Sequence, residues 1–177
     1  MTEVSPSLQL PPQPMYSIST AFHAGFTLDN QQPDIVLVSS DRVLFYAHLF
    51  HLSYTSQNGF NGLLRTEGTG GEMGSIPAIV SVPEDSTLFN VVIHAIYNMS
   101  CSQYNPSLDT LLAAIPILQN YGIPLQRFVV SSTPLFDQIL VQIPRKPMEV
   151  FLVADQNPAQ ARERVGYSDG PAGAESL

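Results

Sequence analysis

The stretch PDIVLVSSDRVLFYAHLFHL, residues 33–52, decides the fold class of this chain. Residues 35–38 are aliphatic and mostly β-branched, which is typical of a strand buried on both faces. The Ser-Ser-Asp at residues 39–41 has short polar side chains that bond to nearby backbone and favour a turn. Residues 43–46 then have the composition of a second strand. The sequence therefore predicts a β-hairpin, followed by a helical segment over residues 48–64.

A third strand and a second helix are predicted next. The strand pattern covers residues 78–82 and ends at Pro83. Glu84 and Asp85 follow, and their carboxylates favour the N-terminus of a helix. Apolar residues continue at helical spacing and define one face: Leu88, Val91, Val92, Ala95, Ile96 and Met99.

A further helix is predicted from Ser107 onward. We expect Pro116 to kink or break this helix, because proline lacks the N–H that a helix interior requires. Gly122 is placed to end it in the left-handed conformation, with a short helix starting at Pro124. Its apolar stripe comprises Leu108, Leu111, Leu112, Ile115 and Leu118. A small sheet with helices paired beside it makes the predicted fold class α+β.

The two ends of the chain differ from this central part. Residues 1–32 are rich in Pro, Ser and Gln and are predicted to be largely disordered. Helical spacing returns at residues 134–143, and the patterns over 148–154 and 158–165 indicate two more short helices. Residues 166–177 are expected to form a disordered tail.

The composition restricts the classes of partner. The net charge is −8, and the seven basic residues are scattered along the chain. Nucleic-acid binding and docking on an anionic membrane are therefore not expected, since both need clustered Lys and Arg. Cys101 is the only cysteine, so no internal disulfide is possible. Without a signal-peptide pattern or a long apolar run, the expected location is intracellular, either cytoplasmic or nuclear.

The order of residues in the hairpin and the following segment resembles the BTB/POZ family. In that family an Asp precedes the hairpin, an aromatic-Xaa-Ala-His follows it, and Leu, Ser and Phe come next. The matching positions here are Asp34, Phe45, Ala47, His48, Leu52, Ser56 and Phe60. Ile96-Tyr97 at the end of the second helix and the residues from Leu111 to Val129 resemble the rest of the domain.

The resemblance implies a BTB/POZ-like domain over residues 33–130, with a small mixed sheet flanked by paired helices. The pattern Pro-Xaa-Glu-Val-Phe-Leu-Val-Ala at residues 147–154 is similar to the short helical extension of BTB proteins abundant in fungi. Residues 131–165 would form that extension.

Such domains bind proteins and perform no chemistry, so the resemblance implies a non-catalytic interaction module. It would self-associate as a homodimer or recruit a partner protein. The residues expected at the partner interface are Leu49, Phe50, Leu52, Phe60, Leu63 and Leu64. The residues expected to have a structural role as the family signature are Asp34, His48, Ser56 and Tyr97.

Two alternative functions remain open at this point. The first is an adaptor that links a substrate to a cullin scaffold for ubiquitin transfer. Cullin-binding members carry a hydrophobic-Xaa-Glu motif, and the LRTE at residues 64–67 resembles it with one additional residue. The second alternative is a small enzyme or ligand-binding domain whose site is dispersed along the sequence.

No compact chemical motif is present in the sequence. His48 and His51 are three residues apart, but this pair with His94 and Cys101 fits no common zinc spacing. There is no Gly-Xaa-Ser-Xaa-Gly motif. The glycine-rich residues 65–75 lack the Gly-Lys-Ser/Thr ending of a phosphate-binding loop. We therefore predict no catalytic residue, no metal site and no cofactor.

Overall fold

The computed structural model describes residues 15–64 and 77–142. These residues contain a four-stranded mixed sheet and five helices, which confirms the α+β class. The predicted loop at 65–75, the helices at 148–154 and 158–165 and the tail at 166–177 lie outside the described residues. None of the helices within the described ranges is both long and apolar enough to span a bilayer.

The strands and helices have the following bounds. The strands are β1 (Ser17–Ile18), β2 (Ile35–Val38), β3 (Val43–Ala47) and β4 (Ala78–Ser81). The helices are α1 (Leu49–Thr55), α2 (Ser86–Ile96), α3 (Leu108–Asn120), α4 (Leu125–Phe128) and α5 (Pro134–Gln142), with a 3₁₀ turn at Ser102–Tyr104. The strand order is β1-β3-β2-β4. β2 pairs with β3 antiparallel, whereas β1 with β3 and β2 with β4 are parallel pairs.

The described residues divide into two compact units. We call residues 15–49 and 77–86 the sheet unit, because they contain all four strands. Residues 50–64 and 87–142 form the helical unit. The largest fully buried side chains of the sheet unit are Phe22, Ile35, Leu37 and Phe45. Those of the helical unit are Leu52, Phe60, Phe89, Ile93, His94, Ile96, Leu111 and Leu118.

The predicted hairpin is present, with Leu37 of β2 opposite Phe45 of β3. Its turn depends on Ser39, whose Oγ donates to Asp41 Oδ1 at 2.6 Å and accepts from the Val43 backbone N–H at 3.0 Å. Arg42 completes the reversal in the left-handed region, with φ +67°. The turn therefore uses the short polar side chains that the sequence indicated.

Residues 15–32, which the sequence assigns to the N-terminal segment, contribute to the sheet unit. Ser17–Ile18 forms β1, and Phe22 is fully buried. The ring centroids of Phe22 and Phe45 lie 6.4 Å apart, and the backbone carbonyl of Phe22 accepts from the Tyr46 backbone N–H at 2.9 Å. An aromatic side chain with no exposed area packs as part of the core.

The predicted helical segment over residues 48–64 is wrong in its length, because α1 ends at Thr55. Residues 59–62 have φ values of +64°, +58°, +56° and +73°, so the chain makes a left-handed turn there. Three of these four residues are Gly or Asn, the types that adopt this conformation most readily. Phe60 is the exception, and it is held by complete burial.

Of the kink or break predicted at Pro116, the break does not occur, since α3 continues through Pro116 to Asn120. Pro116 is exposed, so water can bond the carbonyl that the missing N–H leaves without a partner. Ser107 caps the start of α3 by accepting from the Thr110 backbone N–H at 3.1 Å. Gly122 has φ +69°, as predicted for the residue that ends this helix.

Gly122 should be intolerant of any side chain. A Cβ there would lie 2.5 Å from Asn58 Oδ1 and 2.8 Å from the Asn58 backbone nitrogen. We expect Gly122→Ala to lower the free energy of unfolding by about 3 kcal/mol, measured by urea denaturation. The matched control is Gly59→Ala, which has a similar φ of +64° but nothing within 4 Å of the added Cβ. Gly59→Ala should lower the free energy of unfolding by only about 1 kcal/mol. Equal losses of stability in the two variants would contradict the predicted clash at Gly122.

Asp41 should stabilise the start of α2 in a pH-dependent way. Its carboxylate accepts from the Ser86 backbone N–H at 2.8 Å and from Ser86 Oγ at 2.6 Å. Burial raises the pKa of Asp41, but the hydrogen bonds from Ser39 and Ser86 together outweigh it and hold the pKa below its ordinary value of 3.8. Since the folded state favours the ionised form, this stabilisation is present above that ordinary value. It is lost as the pH falls through the lowered pKa.

We expect Asp41→Asn to lower the free energy of unfolding by about 1 kcal/mol at neutral pH. The difference from the wild type should shrink in urea titrations as the pH falls below 3.8 and through the lowered pKa of the wild-type Asp41, because the carboxyl then becomes protonated. Asp29→Asn, which removes an exposed carboxylate from the same unit, gives the background effect of one charge. If Asp41→Asn lowers the free energy of unfolding by the same amount at every pH, the pH-dependent stabilisation of α2 by Asp41 is contradicted.

Candidate functional site

Two of the family-signature residues, Asp34 and His48, organise the sheet unit around the start of α1. Asp34 Oδ1 accepts from the Leu49 backbone N–H at 2.7 Å, which satisfies one of the free donors at that helix end. His48 is buried, and its Nε2 donates to the carbonyl of Gln31 at 3.1 Å. Its ring also contacts the edge of Phe26, with the centroids 5.5 Å apart. Both side chains therefore bond to backbone groups, Asp34 to the start of α1 and His48 to the segment before β2.

Ser56 joins two distant parts of the helical unit. Its Oγ donates to the carbonyl of Tyr121 at 2.7 Å and accepts from the Phe60 backbone N–H at 2.6 Å. The rings of Phe60 and Tyr121 are stacked with centroids 4.0 Å apart. Nearby, Asn58 Nδ2 donates to the carbonyl of Asn120 at 2.8 Å. We call this set of contacts the Ser56 junction.

Tyr97 follows the last residue of α2 and contacts α1. The ring centroids of Tyr97 and His51 lie 4.4 Å apart, and His51 Nε2 donates to the carbonyl of Ile96 at 3.1 Å. The pair fixes α1 against the end of α2 within the helical unit. Tyr97 is therefore placed to position α1.

The residues predicted for a partner interface differ widely in exposure. Phe50 has 73% of its surface exposed, whereas Leu49 and Leu63 are half-buried. The other three are buried, and the structure removes them from the accessible surface: Leu52, Phe60 and Leu64. Amphipathic spacing gave the apolar residues of this segment but could not separate the side facing the core from the side facing solvent.

The exposed side of α1 presents a pair of aromatic rings. Phe50 and Tyr54, which is 67% exposed, are stacked with centroids 6.2 Å apart and ring planes 17° from parallel. The guanidinium carbon of Arg127, an exposed residue of α4, lies 5.8 Å from the Tyr54 centroid and 5.9 Å from that of Phe128. We call Phe50, Tyr54 and Arg127 the aromatic surface.

Sequence reasoning missed two members of the aromatic surface. Tyr54 lies four residues after Phe50, the spacing at which helical side chains meet, so this signal was present in the sequence. Arg127 is 73 positions from Tyr54 by their residue numbers, and no local pattern connects them. Only the packing of the helical unit brings the guanidinium to the ring.

An open groove of about 440 Å³ lies elsewhere in the helical unit. It is lined by the loop at residues 100–106 and by one side of α5. With its amide oxygen facing the loop, Gln138 accepts from the backbone N–H groups of Cys101 at 3.0 Å and Ser102 at 2.8 Å. Gln142 Nε2 donates to the carbonyl of Pro106 at 3.1 Å. These contacts attach the loop to α5. The alternative of a small enzyme or ligand-binding domain with a dispersed site stays a prediction.

Two further titratable side chains of the helical unit, His94 and Cys101, are buried. His94 is fully buried, and its Nδ1 donates to the carbonyl of Asn90 at 2.7 Å. Burial lowers the pKa of His94 and raises the pKa of the Cys101 thiol. Within residues 15–64 and 77–142, no three metal-binding side chains come together as a candidate ion site.

The Ser56 junction should have a measurable effect on stability. We expect Ser56→Ala to lower the free energy of unfolding by about 2 kcal/mol, because the buried Phe60 N–H and Tyr121 carbonyl lose their partner. Urea denaturation measures the change. Ser53→Ala removes the same hydroxyl from an exposed position of α1 and should change stability by less than about 0.5 kcal/mol. Equal values for the two variants would contradict the role of the junction.

Comparisons with models of protein families, with curated proteins and with solved structures found no match for this chain. The resemblance to BTB/POZ domains therefore rests on the residues of this chain.

Proposed function

We propose that this chain is a non-catalytic protein-interaction module of BTB type, which self-associates or recruits a partner protein through the aromatic surface. The observation that carries the proposal is the stacked pair of Phe50 and Tyr54, two large rings that are mostly exposed on one helix. Burial of such rings against a partner would release a large apolar area from water.

The composition of the aromatic surface supports a binding role. Aromatic residues and Arg are the types enriched in the core of protein interfaces, and they often contribute most of the binding free energy. Phe50, Tyr54 and Arg127 combine these types in adjacent contacts. The rings are rigid, so little side-chain entropy would be lost on binding.

The support beneath the aromatic surface also favours recognition. Two residues after Tyr54, the Ser56 junction fixes the end of α1, and Tyr97 contacts α1 through His51. A site held by such contacts binds with less reorganisation than one on a mobile loop. The signature residues of the BTB resemblance would then provide the framework, and the exposed residues of α1 would provide the contact.

Self-association should depend on the two rings. We expect light scattering on the full chain to give a mass that rises to that of a dimer over a concentration series. The double variant Phe50→Ser/Tyr54→Ser should weaken the dimer by about 100-fold or more, since each ring lost from an interface costs on the order of 2 kcal/mol.

The matched control for this experiment is Tyr16→Ser. Tyr16 is 54% exposed but belongs to the sheet unit, so its loss should leave the measured mass unchanged. A strict monomer at all concentrations would contradict self-association. A dimer that the double variant retains would place the interface elsewhere on the chain.

A further inference from the structure

We infer that the aromatic surface recognises a protein segment in which a carboxylate lies two residues from an aromatic or branched apolar side chain. The inference rests on the proposed function and specifies the chemistry of the partner. It follows from the position of a single cation beside Tyr54, whose exposed ring is stacked on that of Phe50.

Arg127 is oriented by aromatic contacts and remains open to a partner. Its guanidinium lies within 6 Å of the ring centres of Tyr54 and Phe128, and the residue is exposed. An exposed guanidinium near a ring keeps N–H groups available for a partner. These groups match a carboxylate, which can accept two parallel hydrogen bonds from them.

The charge distribution makes this cation distinctive. Within the described part of the helical unit, Arg127 is the only Lys or Arg, and the carboxylates there are Asp109 and Asp137. The described sheet unit instead carries five carboxylates and one basic residue, Arg42. A segment that pairs a negative charge with an apolar group is therefore directed to the aromatic surface.

The spacing of the three side chains sets the spacing in the partner. The centroid of the Tyr54 ring lies 6.2 Å from that of Phe50 and 5.8 Å from the guanidinium carbon of Arg127. In an extended peptide, side chains two positions apart on one face are separated by about 6.5 Å. An apolar side chain can then lie against the rings while an acidic one two residues away, on the same face of the peptide, reaches Arg127.

Other partner chemistries fit these observations less well. A polyanion such as nucleic acid needs several cations, and one Arg supplies a single contact. A purely apolar segment would leave the guanidinium partly covered and without a hydrogen-bond acceptor.

The test is a selection from a library of random short peptides displayed on phage, performed against the full chain. The wild type should enrich peptides with Asp or Glu two residues from Phe, Tyr, Trp, Leu or Ile. Arg127→Glu should abolish that enrichment and favour Lys or Arg at the same position. Arg42→Gln, which removes the basic residue of the sheet unit, should leave the wild-type preference unchanged.

A double-mutant cycle then assigns the contact. With the most strongly enriched peptide, Arg127→Gln should raise Kd about tenfold or more in fluorescence anisotropy, and Glu→Gln or Asp→Asn in the peptide should do the same. The two changes together should cost little more than either one alone. Since Arg127 is exposed, unchanged urea midpoints would show that these variants fold normally.

Three results would overturn the inference: no enriched peptide, enriched peptides without an acidic residue, or the same acidic preference with Arg127→Glu. Each can be distinguished from a failure of the proposed function. If the dimer forms and depends on Phe50 and Tyr54, the aromatic surface is an interface even when the acidic preference is absent. If peptides are enriched equally by Phe50→Ser/Tyr54→Ser, the proposed surface itself is wrong.

Discussion

The helical unit depends on one hydroxyl group, that of Ser56. It donates to a carbonyl at the end of α3 and accepts from the amide of Phe60 in the left-handed turn. Tyr54 precedes Ser56 by two positions, and Arg127 follows Tyr121 by six. The same hydrogen bonds that end α1 therefore set where Tyr54 lies relative to the guanidinium. A buried pair of complementary polar groups is costly to break, which gives the surface a rigid base.

The low charge content of the chain has a structural counterpart. Charged residues make up 12% of the sequence, about half the usual share. Side chains bond directly to backbone groups at three helix starts and at one loop: Asp34 at α1, Asp41 at α2, Ser107 at α3, and Gln138 of α5 at the loop of residues 100–106. Hydrogen bonds of this kind satisfy the open backbone groups that every helix end leaves. They are short-ranged, so added salt affects most of them less than it affects exposed ion pairs.

Much of the fold could be predicted from the sequence because the signals are local. The apolar runs around the Ser-Ser-Asp turn predict the hairpin, and helical spacing predicts α2, α3 and α5. The end of α1 was missed although Asn-Gly occurs twice in residues 58–62, a composition that favours left-handed backbone. Phe60 could not be predicted in that conformation, since burial against Tyr121 overrides its own preference. Arg127 could not be assigned to the site, because its contact with Tyr54 arises only from tertiary packing.

The single thiol of the chain provides a natural reporter of local motion. Cys101 is 3% exposed, and burial raises its pKa, so in the closed structure the reactive thiolate is both scarce and shielded. Because the Gln138 amide attaches this loop to α5, a thiol reagent reaches the sulfur only when that attachment opens. The rate of labelling in excess reagent thus measures the free energy of a local opening in the helical unit, separately from global unfolding. The native sequence contains no second thiol to confuse the signal.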